Sequence, residues 1–412
     1  MIPSNPSTDI QIPSPSFYPF SHVILSFIAD MNSEAYAVYL AARITSKSTQ
    51  KYRKPYQLNR YFYQLAGLEL DIVVVKWGEK LLLNVEYNLY HQATSVKKRF
   101  KLYDVAQEML FKGQYENGLF PQAYFEEEKQ SLQKEIEMQM NNPIEWQFQL
   151  FMETMFVNDP FRFSLLGSME QVQQCSNHEI GRTYHHFVTH ATLVPVLYGS
   201  FAPAEKEFFV SMAQHRPLSS TNRFDQIERM QVVTVEKEIT YQQTWVFLGY
   251  RHDIGQNHRL YPALQLYHQI IGKLPASVLY SQLREKRGLC YYISSSLPFG
   301  KEVLFIIAGI TYQDKAIFLE ELNKAMQSIP LLKKRQTILA LAKKRILSNM
   351  AGWRDYPMSR LNFELEIRMS QAEYTFQSYK QAIEKVTWDE VAEVSRHIWL
   401  DTVYVCKGNH SR

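Results

Sequence analysis

The chain of 412 residues carries one order of elements twice. The spacing is about 200 residues, and a repeat of that length constrains the architecture before any motif is considered. The first half opens with a strand-like run, FSHVILSFIA (20–29), followed by two helical segments, EAYAVYLAARI (34–44) and QLNRYFYQLAG (57–67). Two further strand-like runs, LELDIVVVKW (68–77) and KLLLNVEYNLY (80–90), flank Gly78 as the arms of a hairpin. Helical segments then lead to a strand, LVPVLYGSF (193–201). The second half repeats the order: strand TWVFLGY (244–250), helices RLYPALQLYHQIIG (259–272) and SVLYSQLREKRG (277–288), and a hairpin (289–310) turning at Gly300. More helices and a strand, TVYVCKG (402–408), close it. Gly67 and Gly288 end the helix before each hairpin, where a left-handed cap favours glycine.

Hairpins mixed with helices predict an α+β fold of two homologous lobes, each an antiparallel-rich sheet covered by helices. The Pro- and Ser-rich stretch 1–16 reads as a mobile arm, 17–212 as the first lobe, the polar 213–232 as a linker, and 233–412 as the second lobe. Two similar lobes on a linker imply a clamshell around a cavity, a common place for a ligand.

Composition removes several function classes. Hydrophobic residues at 46% and charged residues at 21% describe an ordinary globular chain. A net charge of +4, from 45 basic and 41 acidic side chains, is too balanced for nucleic-acid electrostatics. The basic clusters Lys47/Lys51/Arg53/Lys54 and Lys97/Lys98/Arg99/Lys101 therefore read as solvated faces, and no nucleic-acid partner is expected. No run reaches the ~18–20 apolar residues of a membrane span. The first residues lack the basic start and apolar core of a signal peptide. Cys175, Cys290 and Cys406 are too few for a disulfide framework and fit a reducing compartment, so a cytoplasmic location is expected. In RTYHHFVTH (182–190), His186 and His190 lie one helical turn apart, yet no Glu stands in the place a metal motif requires. That segment reads as a polar helix face.

Two segments carry a resemblance. KSTQKYRKPYQLNRYFYQLAGLELD (47–71) and SVLYSQLREKRGLCYYISS (277–295) resemble the insulinase/pitrilysin zinc peptidases, the inverzincins, most nearly their bacterial processing-peptidase branch. The likeness runs over roughly residues 20–407. In that family the first segment follows the active-site helix, and the second holds a helix ending in Arg with Tyr seven residues on, here Arg284 and Tyr291. The family's metal motif is H-x-x-E-H: two His one turn apart share a zinc ion, and the Glu acts as general base toward its water. Registering this chain on the family places those positions at Tyr39, Ala42 and Arg43. A phenol, a methyl and a guanidinium cannot grip zinc.

The resemblance further implies that Glu135 stands where the third zinc ligand would be and Glu128 where its supporting carboxylate would be. Read from the residues alone, both are acids on a charged helix, two turns apart on one face. With the resemblance, Arg43 is expected to occupy the metal's place and to pair with Glu135. No cofactor is expected in this chain. Arg284 and Tyr291 read alone as a surface Arg and a strand Tyr. In relatives the pair contacts the substrate carbonyl, where both groups suit an oxygen gaining negative charge. In heterodimeric bacterial members one chain brings the zinc motif and the other brings the Arg/Tyr pair. The implied function is a non-catalytic subunit of a heterodimeric zinc metallopeptidase, without activity of its own. It would bind an extended peptide and supply Arg284 and Tyr291 to a homologous zinc-bearing H-x-x-E-H partner, in processing or degrading a bacteriocin-type precursor. The alternative is a pseudo-peptidase that acts as scaffold or peptide-binding module with no hydrolytic role. A homodimer of the isolated chain is compatible with either.

Overall fold

The computed structural model describes residues 10–12, 19–65, 68–90, 94–113, 118–213 and 231–408. In chain order the first elements are β1 (Ile10–Ile12), β2 (Phe20–Asp30), α1 (Ala35–Thr45), α2 (Pro55–Gln64), β3 (Leu68–Trp77) and β4 (Lys80–Tyr90). They continue with α3 (Val96–Gln107), α4 (Gln122–Asn141), α5 (Pro143–Met155), α6 (Met169–Gln174), α7 (Asn177–His190), β5 (Thr192–Tyr198) and α8 (Pro203–Met212). Then come β6 (Val233–Ile239), β7 (Thr244–His252), α9 (Tyr261–His268), β8 (Cys290–Ser296), β9 (Val303–Ile310), α10 (Lys315–Gln327) and α11 (Arg335–Gly352). The last are α12 (Pro357–Met369), α13 (Phe376–Lys385), α14 (Trp388–Val394) and β10 (Ile398–Gly408).

The repeat is exact in topology. One sheet has the order β1-β5-β2-β4-β3 and the other β6-β10-β7-β9-β8. In each, the first strand pairs in parallel with the last strand of its half, and every other pairing is antiparallel. The hairpins turn where glycine supplies a left-handed backbone, Gly78 at φ 54° and Gly300 at φ 68°. Gly288, at φ 62°, follows the helical turn Tyr280–Lys286 as a cap should; Gly67 lies outside the described residues.

Two short strands escape the reading of the sequence. Ile10–Ile12, counted in a mobile arm, pairs with β5, and β6 begins just past the linker. Neither has a long apolar run to announce it; β6, VTVEKEI, is largely exposed. The linker itself, 213–232, falls mostly on residues 214–230, outside the described ones.

The chain forms two compact units, and the second takes in Asn142–Arg162 while the first takes in Arg354–Leu365. Residues 142–162 thus lie within the 17–212 segment by sequence and pack with the second sheet. The cause is the face of α5. Phe148, Phe151, Met152 and Met155 recur at helical spacing and meet an aromatic sheet face. Phe151 stacks on Phe247 at 5.9 Å and meets Phe305 edge-on at 5.6 Å. Gly249 leaves room for Met155, whose sulfur would stand 2.2 Å from a Cβ there. Polar anchors finish the dock: Arg251 Nη2 donates to the Met155 carbonyl at 3.3 Å, and Lys301 pairs with Asp159.

The first unit has its own core under α1, α4 and α7, centred on Val23, Leu25, Phe27, Leu83 and Val85. Arg99, read from sequence as part of a solvated cluster, is buried there and forms a forked pair with Glu205 at 2.7 and 2.8 Å. Tyr103 adds a third bond to that carboxylate at 2.8 Å. The three cysteines are buried and free.

Deleting the ring of Phe151, which is fully buried, leaves a cavity between α5 and the second sheet. Phe151→Ala is expected to lower unfolding stability by about 3–5 kcal/mol. The half-exposed Val157→Ala, in the same segment, should change it by less than about 0.5 kcal/mol. Denaturant unfolding of the two variants checks this; equal effects would contradict the docking of α5.

Candidate functional site

Helix α1 is built from AYAVYLAARIT, whose Ala, Val, Leu and Ile side chains are buried in the first unit's core. Burial of that stripe fixes its rotation and leaves Tyr39 and Arg43, one turn apart, on a common face. Ala42 faces inward and is 3% exposed. Against this face lies α4, which presents Glu128, Ser131 and Glu135 at spacings of three and four.

Arg43 fills the space between the helices. Its Nε donates to Glu128 at 2.6 Å, Nη1 to Glu135 at 2.7 Å, and Nη2 to Ser131 Oγ at 2.8 Å. Tyr39 donates its hydroxyl to the other oxygen of Glu135 at 3.2 Å, and its ring lies 5.6 Å from the guanidinium. The sequence paired Arg43 with Glu135 but gave no sign of Ser131. It also read Lys47 as a solvated charge. Lys47 reaches back to Glu128 at 2.6 Å and Glu127 at 2.9 Å, a position set by the turn after α1.

Glu128 therefore receives two cations. Burial pushes its carboxyl upward, and the hydrogen bonds from Lys47 and Arg43 more than reverse this, holding it below the ordinary carboxylate range. Both carboxylates are already served by fixed positive charge, and positions 39, 42 and 43 of α1 carry a phenol, a methyl and a guanidinium. This donor set does not fit zinc. Among the described residues no group of three or more His, Cys, Asp or Glu side chains could hold a metal. His186 and His190 stack on each other at 4.1 Å, and His190 Nδ1 lies 2.9 Å from the His186 carbonyl within their helix.

In the second unit Arg284 lies on the π-helical turn Tyr280–Lys286, exposed, its guanidinium 5.0 Å from the ring of Tyr280. Tyr291 sits on β8 where the register slips: Tyr292 opposes Gly309, but Cys290 opposes Ile310. Tyr291 is thus the extra residue of a β-bulge, which re-aims its side chain. Its hydroxyl rests over Gly309, 1.9 Å from where a Cβ would be. Trp245, opposite Gly309 on β7, meets the rings of Tyr291 and Tyr292 edge-on at 6.0 and 5.7 Å. Packing there pushes the Tyr291 phenol upward in pKa, with Cys290 adding to the effect. The residue as a whole remains 42% exposed. The bulge, Gly309 and Trp245 leave no local signal in the sequence.

Residues 189–331 match the family model described as Peptidase M16 inactive domain. The chain is 23% identical over 383 residues to the probable inactive metalloprotease YmfF of Bacillus subtilis (strain 168), covering 90% of this chain and 88% of that one. A conserved protein from Enterococcus faecalis V583 superposes with a TM-score of 0.86 at 19% identity, over 98% of this chain and 96% of that one. The chain has an M16-type fold. A peptidase M16 inactive domain from Pseudomonas fluorescens, at TM-score 0.77 and 15% identity, covers 98% and 96% of the two chains. The sequence contains no H-x-x-E-H motif, and an arginine and two carboxylates are locked together between α1 and α4.

The Arg43 cluster makes a pH prediction. Glu128 titrates lower in the folded chain than in the unfolded one, so the unfolded state binds the extra proton as pH falls. The stability it contributes is complete above the unfolded value of about 4.3 and disappears as pH drops through the depressed folded value. Arg43→Ala is expected to cost roughly 1–3 kcal/mol at neutral pH. It should also flatten the loss of stability below pH ~4. Denaturant unfolding at a series of pH values tests both, and an unchanged acid limb would refute the assignment.

Proposed function

We propose that this chain is the non-catalytic subunit of a heterodimeric zinc metallopeptidase. It binds an extended peptide and presents Arg284 and Tyr291 to a homologous partner that carries H-x-x-E-H and the zinc. The observation that carries this reading is an asymmetry between the halves. Tyr39, Ala42 and Arg43 leave nothing to hold a catalytic metal, while Arg284 and Tyr291 keep exposed side chains on the second unit. A guanidinium and a phenol are donors suited to a carbonyl oxygen acquiring negative charge. Strand β8, which bears Tyr291, is the edge of its sheet, and its unpaired backbone groups can accept a peptide in extended form. The substrate class in this reading is a bacteriocin-type precursor peptide, and the setting is the cytoplasm. No helix among the described residues is long and apolar enough to cross a membrane.

One observation favours a second reading, a pseudo-peptidase that serves as scaffold or peptide-binding module. Arg284 stacks on Tyr280, and the Tyr291 hydroxyl rests on Gly309, so each already has a local resting place. Co-expression with an H-x-x-E-H homologue, followed by peptide-cleavage assays, separates the two. Arg284→Ala and Tyr291→Phe should each lower kcat by about 10²–10³-fold with assembly intact, the loss typical of one oxyanion donor. Cleavage unaffected by both changes leaves the scaffold reading. The isolated chain should contain no stoichiometric zinc, and chelator-sensitive hydrolysis by it alone would overturn both.

A further inference from the structure

The stretch from α10 to the end of α11 breaks the charge balance of the chain. Residues 322–354 hold eight Lys or Arg and no Asp or Glu, against a net charge of +4 for all 412 residues. Asymmetry of this kind points to an anionic partner. Most of the stretch is the helix α11, which buries Leu339, Ala342 and Met350. The opposite face is open. Lys334, Leu341 and Arg345 follow one another there at spacings of seven and four, with Lys344 beside them, and all four are exposed.

The helix starts from an exposed corner. Leu331, 83% exposed, closes the short turn Ile329–Leu331, and the exposed Lys333, Lys334 and Arg335 come directly after. Lys334 caps α11 with a left-handed backbone, φ 59°, a conformation that costs a non-glycine residue energy. Most acids of the neighbouring elements are engaged elsewhere. On α10, Lys324 holds Glu320 and Glu321 at 2.6 and 2.9 Å, and Arg287 also reaches Glu321. On α14, Glu390 accepts from Thr387 at the cap, and Glu393 pairs with Arg259. Lys343 is the cation of α11 that feels Glu390 and Glu384, so it is not counted in this face. Glu384 lies 4.0 Å from Lys380, and Asp389 is an exposed acid at the start of α14. Among the described residues Lys333, Lys334, Arg335, Lys344 and Arg345 form no ion pair.

The apolar residues among these cations restrict the occupant. Leu331 precedes Lys333, Lys334 and Arg335, and Leu341, 53% exposed, precedes Lys344 and Arg345. Nucleic-acid tracks set aromatic rings among their cations, whereas the large exposed apolar side chains of residues 322–354 are these two leucines. At a lipid surface, aliphatic side chains enter the acyl boundary while Lys and Arg stay with the anionic headgroups. We infer that the α11 face docks on an anionic lipid bilayer surface. The helix lies on the membrane in this arrangement and does not cross it. Docking uses neither Arg284 nor Tyr291, so it stands or falls apart from peptide handling.

The test is co-sedimentation of the full chain with phosphatidylcholine vesicles, with and without phosphatidylglycerol. The chain should bind the anionic vesicles alone, and raised salt should release it. Each Lys or Arg at such a surface strengthens partitioning about fivefold, so Lys333→Gln, Lys344→Gln and Arg345→Gln together should weaken binding about a hundredfold. Lys97→Gln, Lys98→Gln and Lys101→Gln together change the net charge equally and should leave binding unchanged. Leu331→Ala should weaken it roughly tenfold at constant charge. The substituted residues of the α11 face are exposed, and circular dichroism of each variant verifies the fold. No uptake by anionic vesicles, the result expected if an acidic protein covers this face instead, would overturn the inference. Equal losses in the two triple variants, or displacement from vesicles by an equimolar oligonucleotide, would overturn it as well.

Discussion

A single guanidinium decides what the α1–α4 face can be. Arg43 spends its donors on Glu128, Ser131 and Glu135, which supply the acceptors a fixed cation needs. Two carboxylates two turns apart on a half-buried helix face repel each other unless a positive charge lies between them. In a zinc site that charge is the ion. Here it is covalently part of α1, permanently ionised and unable to leave. The acids can therefore persist without any metal, and Tyr39 completes the shell with its hydroxyl. A guanidinium has no open coordination position and cannot activate water as a metal ion does.

The two halves show how one topology tolerates different contents. Both sheets share a strand order, including the parallel strand added at one edge. Symmetry is broken in the side chains. In the first unit the helix pair holds an ion cluster. In the second a bulge turns Tyr291 onto Gly309, beside Trp245. A glycine opposite a bulged tyrosine is a packing requirement, since any Cβ at Gly309 would displace the ring. The aromatic excess of the chain is spent largely on such packing, as where α5 lays Phe148 and Phe151 on Phe247 and Phe305.

Several charges in this molecule are turned inward. Lys47 and Arg99 sit in segments that look like solvated basic runs, and each answers a buried or half-buried carboxylate far along the chain. Desolvated charges persist only where partners satisfy them. A balanced net charge conceals such pairs.

Much of the architecture was legible in order. Strands β2, β3, β4, β7, β8 and β9 have apolar runs or alternations, turn glycines mark both hairpins, and the repeat fixes their order. The chemistry of positions 39, 42 and 43 is read directly as well, a phenol, a methyl and a guanidinium. Partner choice is not. Periodicity shows that α5 has an apolar face, but not that it covers the second sheet. It shows that α4 is acidic, but not that Ser131 and Lys47 complete the Arg43 cluster. Nor does it reveal the bulge at Tyr291 or the short strands β1 and β6. Local spacing fixes which face a residue occupies, whereas contacts between segments tens to hundreds of residues apart depend on which faces fit when the chain is packed.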